Sequence, residues 1–401
     1  MKRSTFILSL ALAGLWLAAG CGQKQPQIEA IPFDQFLQRA AQTEAGDRQA
    51  LVDAYLQATD TIPKPFVQDT LATFVYLGQP SAPPRVPGGF NLWNPDSAVM
   101  VGLEGTNLYY YQHPFPRDAR VEYKYQVDGQ MVLDTLNKRT ILSTTGINSE
   151  LAMPQYQSPP EIDEHPDLAH GEMTAFRFTS DLLKTIRNVR LYLPPDYAAG
   201  TDSLPSIYVL GGNDYLTLAD MDNVLDYCIA NQQCRPTVGV FVEEFAGDST
   251  LVAGGQFSRF LIEELVPYIE ANYRVSRQAN QRALLGASEN GVTALALAWA
   301  TPQVFGVAAA QSPTLDSERG RALIAEVAGA RRAKPLAVYH DAGLFEGPIL
   351  EANRELREAL MAAQYRHLYN EVPQGHSWGN WRGHIDDVLA FSFPPAEAAG
   401  S

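Results

Sequence analysis

"RALLGASENGVTALALAWA", residues 282–300, runs apolar after Arg282, narrows to small residues and passes directly into a segment rich in alanine and leucine. Apolar on every position rather than on alternate ones, the first part fits a strand buried on both faces. The second part is made of the strongest helix formers. Ser288 falls at the junction. A sharp strand-to-helix turn with serine at its apex lifts a hydroxyl above the C-terminal edge of a sheet, provided small neighbours let strand and helix approach. Gly286 and Gly291 meet that need. The residue two positions after the serine is Asn290, where the strict G-x-S-x-G pattern has glycine. Asparagine tolerates unusual backbone angles better than most residues, but its side chain needs room.

Outward from this junction the same grammar repeats. "SIYVLGG" (206–212), "TVGVFVE" (237–243), "GVAAAQS" (306–312), "LAVYHDA" (336–342) and "RHLYNEV" (366–372) are short apolar runs. Helical stretches separate them. Phe257, Phe260, Leu261, Leu265 and Tyr268 share one face, as do Ile349, Leu356 and Leu360. Two alternating runs, "TAFRFTS" (174–180) and "NVRLYLP" (188–194), precede these and read as antiparallel edge strands. Strands alternating with helices predict a mainly parallel sheet with helices on both faces. About eight strands, the first ones antiparallel, is the count and order of an α/β-hydrolase fold, expected over residues 173–394.

Upstream, "ATFVYLG", "AVMVGLEG", "NLYYYQHPF" and "VEYKYQVDG" are short, aromatic and β-branched, separated by Gly, Pro and Asn turns. They predict an all-β sandwich over residues 66–149. Residues 150–172 are rich in proline and acidic residues and read as a linker. His165, Asp167 and His170 lie there; nothing in the pattern fixes them as metal ligands, and no metal site is expected. Residues 21–65 read as a tether followed by a short helical segment, with Phe33, Phe36, Leu37, Leu51, Val52 and Tyr55 on one apolar face and Pro63 and Pro65 at its end.

The chain has 401 residues, 46% of them hydrophobic and 19% charged, which excludes wholesale disorder and allows a large core. A formal charge of −15 excludes nonspecific nucleic-acid binding. It also opposes anionic ligands unless a local basic patch intervenes. Lys2 and Arg3, the apolar run Phe6–Ala19 and the small residues before Cys21 have the organisation of a targeting segment over residues 1–20. The pattern resembles a bacterial lipoprotein signal. That resemblance implies lipidation of Cys21 as the only membrane attachment and a place in the cell envelope, on the periplasmic or outer-membrane face. Cys228 and Cys234 fit no metal motif; they either pair in an oxidising compartment or remain free thiols.

A serine hydroxyl needs a base to take its proton, and the base needs an orienting acid. His376, in "PQGHSWGNW", follows the last expected strand, and Glu346, in "DAGLFEGPI", follows the one before it. The order serine, acid, histidine is that of α/β-hydrolases. Asp341 is the rival acid, nearer the strand end. His384 reads as a helix-surface residue.

Residues 173–392 resemble the esterase family that includes enterochelin esterases, feruloyl esterases and S-formylglutathione hydrolase. The resemblance rests on "SDLLKTIRNVRLYLPPDY", "YVLGGNDY", "FLIEELVPYIEANY", "GLFEGPILEANRELREAL" and "GHSWGNWR". It implies that Glu346 is the acid and that an oxyanion hole uses the backbone N–H of Glu289 with that of Asn213 or Asp214. "GGFNLWNP" (88–95), "YKYQVDG" (123–129) and "DTLN" (134–137) resemble the Ig-like early-set domain that precedes the catalytic domain in enterochelin-esterase-type proteins. Within it, Trp93 either stacks on sugar or is structural. Two departures touch substrate choice: Glu289-Asn290-Gly291 stands for the usual Gly-Gly, and "FAGDSTLVAGG" replaces an arginine- and aromatic-bearing segment.

The expected function is therefore a lipid-anchored serine esterase without cofactors. Its expected partner is a small-molecule or glycan ester, a feruloylated or acetylated glycan or a siderophore ester. The alternative is a catalytically inactive, anchored binding protein for glycans or siderophores.

Overall fold

The eight runs read over residues 173–394, six apolar and two alternating, are all strands of one sheet in the computed structural model, which describes residues 28–243, 255–330 and 333–395. The targeting segment, Cys21 and most of "FAGDSTLVAGG" lie outside the described residues. The chain divides into two compact units, one holding residues 1–61 with 104–106, the other residues 62–103 with 107–401.

In the first unit the expected helical segment is two helices, Phe33–Gln42 and Arg48–Ala58. Thr43 is extended and ends the first helix, so the apolar residues lie on two facing helices rather than along one. The rings of Phe36 and Tyr55 stack at 4.1 Å, and Leu51 and Val52 are buried beside them.

The second unit opens with an all-β segment. Its strands are β1 (Phe66–Gln68), β2 (Leu71–Leu77), β3 (Val101–Gly102), β4 (Leu108–Pro114), β5 (Arg120–Tyr123), β6 (Tyr125–Val127), β7 (Gln130–Val132), β8 (Thr140–Ser143) and β9 (Gly146–Ala152). They form sheets ordered β1-β2-β4-β3, β5-β9-β8 and β6-β7. The run "VEYKYQVDG", read as one strand, is interrupted at Lys124: β5 pairs with β9 while β6 pairs with β7. β9 runs three residues into the expected linker. Its polar Asn148 and Ser149 are buried, which conceals the strand from a hydrophobic reading. The core of this segment centres on Phe74, whose ring meets Phe90, Tyr111, Phe115 and Tyr123.

The catalytic segment has β10 (Glu172–Ser180), β11 (Thr185–Leu193), β12 (Ser206–Leu210), β13 (Val238–Val242), β14 (Arg282–Ala287), β15 (Val307–Gln311), β16 (Ala337–Gly343) and β17 (Arg366–Val372). Their order is β10-β11-β13-β12-β14-β15-β16-β17. The sheet is mixed: β10 and β11 pair antiparallel with each other, β11 pairs antiparallel with β13, and the rest are parallel. The central strands are buried on both faces because helices cover both. Phe257, Phe260, Leu261, Val292, Leu295 and Leu356 fill one side. Tyr215, Val224, Leu225, Trp381, Ile385 and Leu389 fill the other. Parallel strands share a C-terminal edge, so the loops after β12, β14, β16 and β17 open on one rim, where ligands bind in such sheets.

The all-β segment packs on that rim within the same unit. The rings of Phe115 and Phe345 meet edge-on at 5.9 Å, and the Arg120 N–H donates to the Pro373 carbonyl at 3.1 Å. Phe74→Ala leaves a cavity where four rings converged, with an expected loss of about 3–5 kcal/mol. A lowered urea midpoint at an unchanged slope checks it.

Candidate active site

Ser288 occupies φ 55°, ψ −124°, a backbone conformation that side-chain-bearing residues rarely adopt. Hydrogen bonds hold it there. Its N–H donates to the Gln311 carbonyl at 2.9 Å, and its own carbonyl accepts from Gly291 at 3.0 Å and from Val292 and Thr314 at 3.3 Å. Gly286 is required by space: a Cβ there would stand 2.3 Å from the Asn290 carbonyl oxygen. Asn290 itself lies in the helix Glu289–Ala300, so its backbone needs no glycine. Its side chain takes the room left by Gly211, where an added Cβ would come 2.9 Å from Asn290 Nδ2. Two glycines, before and across from the turn, therefore accommodate the departure from G-x-S-x-G.

The loop after β17 brings His376 Nε2 to 2.8 Å from Ser288 Oγ. Its Nδ1 faces Glu346 Oε2 at 3.7 Å. That is longer than a hydrogen bond, and such contacts commonly tighten only when substrate is bound. Both atoms are buried and neither has another hydrogen-bond partner. Trp381 stands edge-on to the imidazole at 4.9 Å. Asn380 Nδ2 donates to the Gly375 carbonyl at 3.1 Å and steadies the loop.

Glu346 is 1% exposed. Its Oε1 accepts from the Ser312 hydroxyl at 2.7 Å. Asp341, the rival acid, faces elsewhere: Oδ1 accepts the Ser312 N–H at 2.8 Å and Oδ2 accepts the Tyr339 hydroxyl at 3.0 Å. Asp341 thus holds the residue that holds Glu346. Burial pushes its carboxyl up to about 7. Sequence reasoning missed Ser312; its signal, a positive φ of 41° at a buried non-glycine residue, exists only in coordinates.

Glu289 opens the helix Glu289–Ala300 and Asn213 is the second residue of the helix Gly212–Thr217, and first-turn N–H groups lack an intrahelical acceptor. Asp214 is corrected as an oxyanion donor: its N–H is already donated to the Gly211 carbonyl at 3.0 Å, because the chain turns tightly into that helix. The Glu289 carboxylate accepts the Thr314 hydroxyl at 2.7 Å and lies 3.8 Å from Arg319, so this charge is partly compensated.

A cavity of about 730 Å³ includes Ser288, Glu289 and His376 in its wall. Eight further wall residues come from the all-β segment, Trp93, Glu122, Lys124 and Asn148 among them. Trp93 was flagged by its motif, but its place here follows from docking. Glu122 is tied to Arg120 at 3.3 Å and to Asn148 Nδ2 at 2.8 Å.

The remaining candidates are scattered. His165 contacts the Pro160 carbonyl at 2.7 Å and His170 contacts Asp226 at 2.9 Å. His384 is not a surface residue: its side chain is 19% exposed, 3.3 Å from Gln374 and 3.7 Å from Asp387. Cys228 and Cys234 are free and buried, and burial raises both thiols, that of Cys234 up to about 12.

Residues 180–391 match the family model described as "Putative esterase". The chain is 27% identical over 280 residues to an iron(III) enterobactin esterase of Escherichia coli K12, covering 66% of this chain and 68% of that one. Among solved structures it is similar to the Shigella flexneri enterobactin esterase crystallised in the presence of enterobactin. That likeness has a TM-score of 0.69 at 19% identity, over 85% of this chain and 97% of the other. It is also similar to the ferric enterobactin esterase of Salmonella typhimurium, with a TM-score of 0.70 at 19% identity over 80% and 93%.

Two outcomes follow from the geometry. Gly286→Ala forces strand and helix apart, with an expected loss of about 1–3 kcal/mol, read as a lower denaturation midpoint. The second concerns pH. Folding raises the Asp341 carboxyl from 3.8 to about 7, so its neutral form is the one folding favours. Its contribution is complete below the ordinary carboxylate range and is lost as pH rises towards 7. Asp341→Asn removes this titration, and the melting temperature of the native chain, measured relative to that variant, is expected to fall between about pH 4 and pH 7. A constant difference across that range would contradict the assignment.

Proposed function

We propose that this chain, which belongs to the esterase family and is a carboxylic ester hydrolase, cleaves its substrate through Ser288, His376 and Glu346 by way of an acyl-enzyme. The observation that carries the reading is the 2.8 Å contact between His376 Nε2 and Ser288 Oγ. In the proposed scheme Ser288 Oγ attacks the ester carbonyl while its proton passes to Nε2. The Glu346 carboxylate stabilises the imidazolium through Nδ1 and keeps Nε2 turned towards the serine. The backbone N–H groups of Glu289 and Asn213 face the oxygen on which charge develops, and losing one such donor costs on the order of 10²–10³ in rate. Collapse expels the alcohol, which takes the proton from Nε2. Water then gives its proton to Nε2 and attacks the acyl group, releasing the acid and restoring Ser288. The scheme calls on no metal or organic cofactor.

For the substrate we propose a siderophore ester or an acylated glycan. The name of the Escherichia coli relative supports the first. The acidic charge of the whole chain opposes an anionic siderophore, but Lys124 in the cavity wall supplies a local cation. The attachment through lipidated Cys21 and the envelope location rest on the N-terminal sequence alone, and the Ig-like character of the all-β segment on its motifs. The inactive-binder alternative rested on Asn290, which Gly211 accommodates.

Ser288→Ala is expected to lower kcat/KM on an activated short-chain aryl ester by about 10³-fold or more, and a fluorophosphonate probe is expected to label the native chain at Ser288. Undiminished turnover by the purified variant would reject the triad.

A further inference from the structure

Four tryptophans lie among the described residues, and three of them are spent on packing. Trp299 meets Tyr365 at 5.5 Å and carries Lys334 over its ring at 4.0 Å. Trp378 and Trp381 meet each other at 5.0 Å, and each touches a further ring, Tyr215 or His376. Trp93 differs. It is half-buried and lines the cavity that contains Ser288 and His376, and its indole has no ring, cation or hydrogen-bond partner among the described residues.

Its backbone is held in an unusual shape. Leu92 and Trp93 are consecutive bulky residues at φ 56° and 59°. Such positions persist only where surrounding contacts over-determine them, and they cluster where a side chain must be presented in one direction. Here the contacts are explicit. The Gly88 N–H donates to Asn91 Oδ1 at 2.9 Å, Asn91 Nδ2 donates to the Val86 carbonyl at 2.9 Å, and the Trp93 N–H donates to the Gly88 carbonyl at 2.8 Å.

The same loop touches both loops that carry the candidate base and acid. A Cβ on Gly375, beside His376, would stand 3.0 Å from Gly89 Cα, so the two backbones are in direct contact. A Cβ on Gly347, beside Glu346, would stand 3.4 Å from Leu92. The indole is therefore registered to the reacting atoms through one backbone contact, Gly89 on Gly375, and one side-chain contact, Leu92 against Gly347. In the same wall stand the half-buried cation of Lys124 and the unpartnered Oδ1 of Asn148, which can accept from a hydroxyl.

We infer that Trp93 is the ring platform of the substrate site: its exposed face stacks on a six-membered ring, aromatic or pyranose, carried by the ester hydrolysed at Ser288. The inference rests on the proposed function, since it takes this cavity to be the catalytic one. An indole face suits both chemistries, because aromatic rings and the C–H face of a sugar each gain dispersion contact and polarisation from its π-system. Trp93 is thereby a specificity-determining residue contributed from outside the catalytic segment.

The test compares the purified native chain with Trp93→Ala and Trp93→Phe on methyl ferulate, on peracetylated xylose and on ring-free vinyl acetate. The quantity read is the ratio of kcat/KM for each ring substrate to that for vinyl acetate, which a general loss of structure leaves unmoved. Trp93→Ala is expected to lower one ratio about tenfold, mostly through KM, with substantial recovery in Trp93→Phe. A fall for methyl ferulate alone identifies an aromatic acyl group; a fall for the acetylated sugar alone identifies a pyranose. Unchanged ratios overturn the inference, as does cleavage of vinyl acetate without turnover of either ring substrate. Ser288→Ala, run alongside, separates this failure from failure of the triad: activity surviving in Ser288→Ala rejects the proposed function itself.

Discussion

The backbone of a single residue sets the conditions for everything else at the rim of the sheet. Ser288 sits at φ 55°, ψ −124° between β14 and a helix. A side chain there can reach out of the sheet edge only if strand and helix nearly touch. That demand reaches backwards to Gly286, whose place admits no Cβ, and across to Gly211, whose empty side leaves room for Asn290. It also reaches sideways to Gln311, which receives the Ser288 N–H at 2.9 Å. The strain is local, and the cost is carried by a sheet whose central strands are buried on both faces.

Behind the serine lies a short chain of acids that divides its labour by environment. Asp341 and Glu346 are both buried and share Ser312 as intermediary. Asp341 uses both oxygens on protein donors, Ser312 and Tyr339, and burial pushes it up to about 7. Glu346 uses one oxygen on Ser312 and leaves the other facing His376. The number of lone pairs already committed, rather than distance along the chain from the strand, separates a supporting carboxylate from one available to orient an imidazole.

The all-β segment enters this picture as a part of the wall. Through Phe115 on Phe345, Gly89 on Gly375 and Arg120 on Pro373 it reaches the loops on either side of the candidate acid and base. Loops at the end of a parallel sheet are the least constrained part of that architecture, since only one end of each is anchored in a strand. Backbone contact with a second packed segment supplies the missing restraint. It also places side chains opposite Ser288 that the catalytic segment does not encode.

Local pattern made much of this legible. Uninterrupted apolar runs mark the central strands, hidden on two faces, and alternation marks the antiparallel pair at one side, so the main sheet and the Ser288 junction could be read directly. The order of Ser288, Glu346 and His376 along these strands pointed to a common rim. Where burial was polar, the reading failed: β9, with Asn148 and Ser149 inside, was not read as a strand and its last three residues were assigned to the linker, and His384 looked superficial because its neighbours are charged. By itself, then, the sequence determined which segments are strands, which are helices and which three residues could converge, because hydrophobic period and turn chemistry act over a few residues. The tertiary structure alone decided that Ser312 holds Glu346, that Asp341 is occupied, that Gly211 makes room for Asn290 and that Trp93 stands in the cavity. Those are contacts between residues far apart in the chain, set by packing and shape, and no local period encodes them.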